Sequence, residues 1–231
     1  MALDGALKRL AVTPLGIHLW LVNLDEPEVA TAVTLSAAEE ARAERFVFER
    51  DRRRYLAAHR ALRSVLIQEA GMRADAAFDI GTHGKPSLRA PGACSFNMSH
   101  SAHMALIGLA DSGDIGVDIE VRHAVGDLHE LARHHFSAQE AQALALIRQE
   151  DDALTAFLQC WTRKEACLKA LGTGLSLPSH VFTTGIAPVE GRICIPFDAG
   201  EATVDVTSVH VGIDILAATA KLISLGAEAS R

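Results

Sequence analysis

Two short patterns in this chain place acidic and basic side chains where chemistry would need them. Asp118 and Glu120 stand two residues apart in the apolar run Ile115-Gly116-Val117-Asp118-Ile119-Glu120. A strand sends alternate side chains to one face, so both carboxylates share it. Two like charges on a strand otherwise built of Ile and Val need a compensating cation if they are buried. Hard oxygen ligands suit Mg2+, which takes one or two carboxylates and completes its shell with water and phosphate. A solvated edge-strand face is the alternative for the same pattern. The second pattern is the helical stretch from Trp161 to Gly172, in which Trp161, Glu165 and Lys169 recur every four residues and share one face. Alone, Glu165 and Lys169 read equally well as an exposed ion pair worth about 0.2–0.5 kcal/mol. Beside Asp118 and Glu120 they would add a third carboxylate and a cation.

Between the ends of the chain lie further polar groups with no fixed meaning of their own. Asn97-Met98-Ser99-His100-Ser101 gathers amide, hydroxyl and imidazole groups suited to phosphate or base contacts, and its composition reads as a polar loop. Lys85 sits in a Gly84-Lys85-Pro86 turn, where Pro86 biases it toward extended backbone. Arg42, on the first helix, and the run Arg52-Arg53-Arg54 are surface cations unless a ligand gathers them.

The elements that must position these residues follow from periodicity. Residues 15–22 form an apolar strand candidate, and Ser36 with Glu39 makes a capping box that opens a helix ending near Arg45 or Phe46. Residues 51–70 form a longer helix stopped by Gly71, and residues 157–171 form the helix of the second pattern, stopped by Gly172. Strands are expected at 104–110 and 115–120, joined by the turn 111–114 as a hairpin, and at 181–184, 191–197, 202–206 and 213–218. The tail from Leu225 is expected to be loose. Phe136-Ser137-Ala138-Gln139-Glu140-Ala141 echoes Leu35-Ser36-Ala37-Ala38-Glu39-Glu40, and at the same offset Asp51 meets Asp152, Leu56 meets Phe157 and Ser64 meets Glu165. The spacing therefore predicts a mixed α+β fold of two similar α/β halves, residues 1–112 and 113–231, about a pseudo-twofold axis, with the site in the cleft between them.

Composition excludes several classes. At 231 residues and 49% hydrophobic content the chain can build a sizeable core, and no apolar run is long enough to span a bilayer. The N-terminus lacks a signal-peptide pattern, which points to the cytoplasm. Four cysteines form no Cys-x-x-Cys pair, so reduced buried thiols are expected and a zinc site is not. Of the net charge of −7, the whole excess lies beyond residue 112, where 9 basic residues face 16 acidic ones. That balance disfavours general nucleic-acid binding.

Taken jointly and in order, Gly84-Lys85-Pro86, Phe96-Asn97-Met98-Ser99-His100-Ser101, Gly116-Val117-Asp118-Ile119-Glu120 and the run from Trp161 through Lys164-Glu165 and Lys169 to Gly174-Leu175 resemble the 4′-phosphopantetheinyl transferases of the Sfp type, the single-chain pseudo-dimers. The resemblance runs from about Leu35 to Val181. It implies Mg2+-dependent (or Mn2+-dependent) transfer of the phosphopantetheine arm of coenzyme A to a serine of an apo acyl or peptidyl carrier protein, with adenosine 3′,5′-bisphosphate released, by a cytoplasmic monomer that uses neither nucleic acid nor membrane. It assigns Asp118, Glu120 and Glu165 to the metal, and Asp118, Glu165 and Lys169 to catalysis. Coenzyme A contacts fall on His100, Lys169, Lys85, Pro86, Asn97, Ser99, Arg42 and Arg54. A basic position of some members, near the start of the first helix, is Glu39 here, so fewer phosphate contacts are expected from that end. The chemistry agrees without the name: phosphoryl transfer needs charge neutralised on the pyrophosphate, within reach of Lys169, and a base for the hydroxyl, such as Glu165. A Mg2+-dependent phosphohydrolase acting on coenzyme A or nucleotides is the other enzymatic reading, and a non-catalytic coenzyme A binder the third.

Overall fold

The computed structural model describes residues 6–27, 33–88, 94–188, 190–197 and 200–227. Its repeat is clearest in two helix pairs. A short helix, α1 (Ala37–Ala43), precedes a long one, α2 (Glu49–Ala70), and the same arrangement returns as α4 (Ala138–Ala145) and α5 (Glu150–Leu171). Ser36 and Ser137 cap the short helices, and Glu39 and Glu140 reach back to complete both capping boxes. Each long helix ends on a left-handed glycine, Gly71 at φ 63° and Gly172 at φ 70°, where an L side chain would be strained. Corresponding residues are 101 positions apart throughout. The capping glutamates also tie each pair together: Glu39 meets Arg63 and Glu140 meets Lys164, both at 2.8 Å and both buried. Arg63 and Lys164 are themselves 101 apart.

The strands are β1 (Leu7–Arg9), β2 (His18–Asn23), β3 (Phe78–Ile80), β4 (Pro86–Leu88), β5 (Ser95–Ser101), β6 (Met104–Ala110), β7 (Ile115–Val121), β8 (Gly191–Phe197), β9 (Gly200–His210) and β10 (Ile215–Ala227); helix α3 (Leu128–His135) follows β7. They form two antiparallel sheets, β1-β2-β6-β5 and β7-β10-β9-β8, and a small hairpin, β3-β4. The expected hairpin of 104–110 with 115–120 is not formed: β6 pairs with β2 and β5, whereas β7 pairs with β10. The turn 111–114 instead carries the chain from one sheet to the other, and the true hairpin is β5–β6. Residues 97–101, expected as a polar loop, belong to strand β5 (Ser95–Ser101), because Phe96 and Met98 alternate with Asn97 and Ser99 on opposite faces. The strand expected at 181–184 is a single 3-10 turn, Ser179–Val181, followed by irregular chain. Strand β10 runs on to Ala227, so the tail expected to be loose from Leu225 begins inside a strand and otherwise lies outside the described residues.

Alternation distributes the core. Trp20, Val22, Phe96, Ile107 and Leu109 pack on α2 residues Ala58, Leu62 and Val65. Leu19, Leu21, Leu106, Val117 and Ile119 fill the space between the two sheets. Strand β6, buried along its whole length, serves both clusters, which explains its unbroken apolar run. Gly108 is required at this junction, since a Cβ there would lie 2.5 Å from Val117 Cγ1. In the second half, α5 packs on β9 and β10 through Ala166, Leu168, Val204, Val206 and Ala220. All four cysteines are free; Cys160 and Cys167 are buried as expected, but Cys94 is only half-buried and Cys194 is exposed. No helix among the described residues is long and apolar enough to cross a membrane.

Candidate functional site

Because Ile115, Val117 and Ile119 face the inter-sheet core, Gly116, Asp118 and Glu120 are turned toward α5. The helix comes unusually near: a Cβ on Gly116 would sit 2.0 Å from the Ala166 carbonyl oxygen and 2.9 Å from Lys169 Cβ. That contact brings the two chemical patterns of the sequence together. Lys169 Nζ donates to Asp118 Oδ1 at 2.6 Å and to Ser99 Oγ at 2.8 Å. Glu165, one turn below Lys169, has its pKa raised by burial and then by the charges of Asp118 and Glu120. Glu120 is raised by burial as well, with Asp118 adding to the shift and Ser101 opposing it. The three carboxylates therefore feel one another across the strand–helix junction. Lys164, between them in sequence, points away and does structural work: Nζ donates to the Ser179 and Phe182 carbonyls in addition to its pair with Glu140.

Strand β5 meets β7 edge to edge through side chains. Asn97 Oδ1 accepts from Val117 N at 2.9 Å, and Ser99 Oγ donates to Asp118 Oδ1 at 2.7 Å. Ser101 Oγ donates to Glu120 Oε2 at 2.5 Å and accepts from Val121 N at 3.2 Å. The first half thus orients both strand carboxylates of the second half. Ser99 turns to Asp118 and Lys169.

On the other side of β5 lies a cavity of about 460 Å3. Phe96, Met98, Phe78, Ile80, Leu62 and Pro86 supply apolar walls, and Arg42, His100, His59 and Glu39 supply polar ones. His100 presents its ring to this space, and the protein mass around it, followed by the Lys169 ammonium, lowers its pKa. Arg42, Pro86, Asn97 and His100, four of the residues that the resemblance assigns to coenzyme A, all line this cavity. Arg54 and Lys85 are not on its walls. The Arg54 guanidinium is held by Asp25 through two hydrogen bonds, at 2.6 and 2.8 Å. Lys85 Nζ donates to Asp114 Oδ1 at 3.0 Å and to the Ala170 carbonyl at 3.1 Å, bridging the β3–β4 hairpin to the end of α5. Sequence reasoning missed Tyr55 and His59; their spacing of four on α2, beside the Glu39 cap, was the available signal. Glu39 itself is a cap and a buried ion pair, and its pKa falls to about 2: burial opposes the shift, but His59, Ser36 and Arg63 together outweigh it.

A second, smaller cavity of about 170 Å3 opens beside Glu120, lined by Val125, Leu131, Phe157, Leu158 and Trp161. Among the described residues no three His, Cys, Asp or Glu side chains form a ready metal cage. The donor set nevertheless suits a hard divalent cation. Asp118 Oδ2 is buried with no hydrogen-bond partner, and both neighbouring glutamates are held in protein that disfavours their charge.

Comparison with known proteins agrees with this geometry. The 4′-phosphopantetheinyl transferase superfamily matches residues 114–209, and the family described as 4′-phosphopantetheinyl transferase, N-terminal, matches residues 20–111. The 4′-phosphopantetheinyl transferase HetI of Nostoc sp. is 38% identical over 167 residues, covering 69% of this chain and 70% of that one. In Bacillus subtilis, the transferases ffp and Sfp are 33% and 31% identical, each alignment covering 70% of both chains. With one half matched by each family description and the acidic strand lying against the helix that carries Glu165 and Lys169, this chain belongs to the 4′-phosphopantetheinyl transferase superfamily and is an enzyme of its Sfp type.

Proposed function

We infer that this chain transfers the 4′-phosphopantetheine arm of coenzyme A to a serine of an apo carrier protein and releases adenosine 3′,5′-bisphosphate. The observation that carries the reading is the partnerless, buried Asp118 Oδ2 on the face shared with Lys169, with a cavity of about 460 Å3 across strand β5 from it. Asp118, Glu120 and Glu165 would hold Mg2+ (or Mn2+), which when bound supplies charge neutralisation on the pyrophosphate.

The residues divide the remaining work. The apolar walls of the larger cavity, Phe78, Phe96 and Pro86, suit a purine face, and Arg42 and His100 suit phosphate. Lys169 is close enough to Asp118 to be oriented by it, and its ammonium opposes charge that builds on the leaving phosphate. Glu165, a carboxylate at the edge of the metal site, is the group placed to accept the serine proton. The 170 Å3 cavity, with Phe157 and Trp161 on its wall, is the apolar space open to the pantetheine arm. Because one chain supplies both β5 and β7 to the site, a monomer suffices, and a cytoplasmic setting fits a coenzyme A substrate.

The test is direct. Incubated with coenzyme A, Mg2+ and a panel of apo carriers, the protein should add one phosphopantetheine per carrier, read by mass, and should release nothing from coenzyme A when the carrier is omitted. Turnover of coenzyme A without carrier modification would replace the transferase reading by that of a phosphohydrolase.

A further inference from the structure

Within the larger cavity one polar side chain has no role in the reading above. His59 lines the wall beside Arg42, Tyr55 and His100. Two contacts fix its ring. Its Nδ1 lies 3.0 Å from Glu39 Oε1, and its plane rests on Tyr55 with ring centroids 4.2 Å apart. Glu39 remains ionised far into acid, so it accepts a hydrogen from Nδ1 and holds the ring in place; a donor to phosphate at Nε2 is then the doubly protonated ring, held between the Glu39 carboxylate and the anion. Nε2 is then the free nitrogen: no described residue bonds it.

The charges around His59 explain why an anion would be welcome. Glu39 is already matched by Arg63, which donates from Nε and pairs through its second nitrogen at 2.8 Å. Arg42 lies over the Tyr55 ring at 5.9 Å, and His100 faces the same cavity. With Glu39 neutralised by a buried guanidinium, the open side of this wall is left with Arg42, His59 and His100. A phosphate monoester dianion fits that set better than a neutral group does.

We propose that His59, oriented by Glu39 and Tyr55, reads the 3′-phosphate of coenzyme A through Nε2. This rests on the transferase reading and adds a residue to it. It also gives Glu39 a purpose. The acid that stands near the start of α1 supplies no cation itself, but it aims an imidazole from α2 into the same cavity. Arg54, bound to Asp25, is not needed for this task.

The experiment compares coenzyme A with dephospho-coenzyme A, which lacks only that phosphate, by calorimetric titration of the full chain without carrier. His59→Phe keeps the ring against Tyr55 and removes both nitrogens. It should weaken coenzyme A binding about tenfold or more, the scale of a charge-assisted hydrogen bond, and leave dephospho-coenzyme A within about twofold. His59→Gln retains a donor and should lose less; it serves as the test if His59→Phe does not fold, judged by its near-ultraviolet circular dichroism. Equal losses for both ligands would show a purely structural histidine and overturn the proposal, as would no loss for either. Equal wild-type affinities for the two ligands, with carrier modification intact, would overturn this inference alone. Failure of the wild type to bind coenzyme A at all would overturn the transferase reading with it.

Discussion

Residues 63 and 164 hold the same place in the two halves, and so do residues 64 and 165, yet the first pair is alike and the second is not. Arg63 and Lys164 each reach a buried capping glutamate at 2.8 Å. One residue further on, Ser64 is buried at 4% exposure, whereas Glu165 is only partly buried and faces the strand carboxylates. A full turn later exposed Gln68 stands opposite Lys169. The positions that tie a short helix to a long one are kept, and those on the face toward β7 diverge. The first half, freed from holding acids, opens the larger cavity behind β5; the second places its acids against α5. The outer ion pairs diverge as well. In the first half the strand side supplies the acid, Asp25, to Arg54; in the second it supplies the base, Arg122, to Asp151 and to Thr155, the counterpart of Arg54.

The comparison predicts its largest effect where the halves agree. Arg63→Met and Lys164→Met each leave a buried carboxylate without its cation, and each should cost about 3–5 kcal/mol in urea denaturation. A loss under about 1 kcal/mol in either half would show that its helix pair is held by something else. Acid provides an independent check. Glu39 has a folded-state pKa near 2 against an ordinary 4.5, and Glu140 is also lowered, against the pull of burial, chiefly by the Lys164 charge. A depressed carboxylate stabilises the fold fully above its unfolded pKa, and that contribution disappears as pH falls through the folded value. The stability gap between wild type and Glu39→Gln should therefore narrow from about pH 4.5 down to about pH 2.

Where the halves differ, activity should differ. Glu165→Gln keeps shape and removes charge, so transfer should fall at least about a hundredfold in single turnover, with coenzyme A still bound. Ser64→Ala, at the matching position, should stay within about twofold. Unimpaired transfer in Glu165→Gln would remove that residue from the mechanism and return the helix face to an ordinary ion pair. A subtler result is expected from the first half's grip on the second. Ser101→Ala frees Glu120 from its hydroxyl donor and should raise the Mg2+ concentration needed for half-maximal rate about tenfold, with the maximal rate regained in excess metal.

What the sequence disclosed, and what it withheld, follows the same division. Capping boxes, glycine stops and the matched offset are local patterns, and residues 36–39, 71, 137–140 and 172 announce themselves. The pairing of strands is not local. The run 104–110 and the run 115–120 have the composition of a hairpin, and only Gly108 and Gly116, each forced by a neighbour too close for a Cβ, reveal that β7 packs across β6 and under α5 instead. Residues 97–101 look like a loop because Asn and Ser are poor strand formers in general. Their pairing with Val117 N, Asp118 and Glu120 is what makes them a strand here. Among the basic residues, sequence alone could not separate cations that reach the cavity from those already taken. Arg42 and His100 line it; Arg54 and Lys85 have found partners, and the spacing of His59 from Tyr55 takes on meaning through its contact with Glu39.

The smallest effect is expected at Arg54, and it is the most pointed check on how the halves were told apart. Arg54 lies in a basic run that resembles a phosphate entry, yet both its donating nitrogens rest on Asp25, which draws the carboxyl below its usual pKa. Asp25 is about half exposed, so the pair is screened and worth a few tenths of a kcal/mol up to about 1. Arg54→Ala should accordingly lose no more than that in stability and should bind coenzyme A within about twofold of wild type, because no ligand contact is removed. A loss of tenfold or more, specific to coenzyme A over dephospho-coenzyme A, would mean that Asp25 surrenders the guanidinium when ligand enters. In that case the first half would use the same strategy that Lys169 follows beside Asp118, a cation parked on an acid until a phosphate arrives, and the two halves would be more alike than their resting contacts imply.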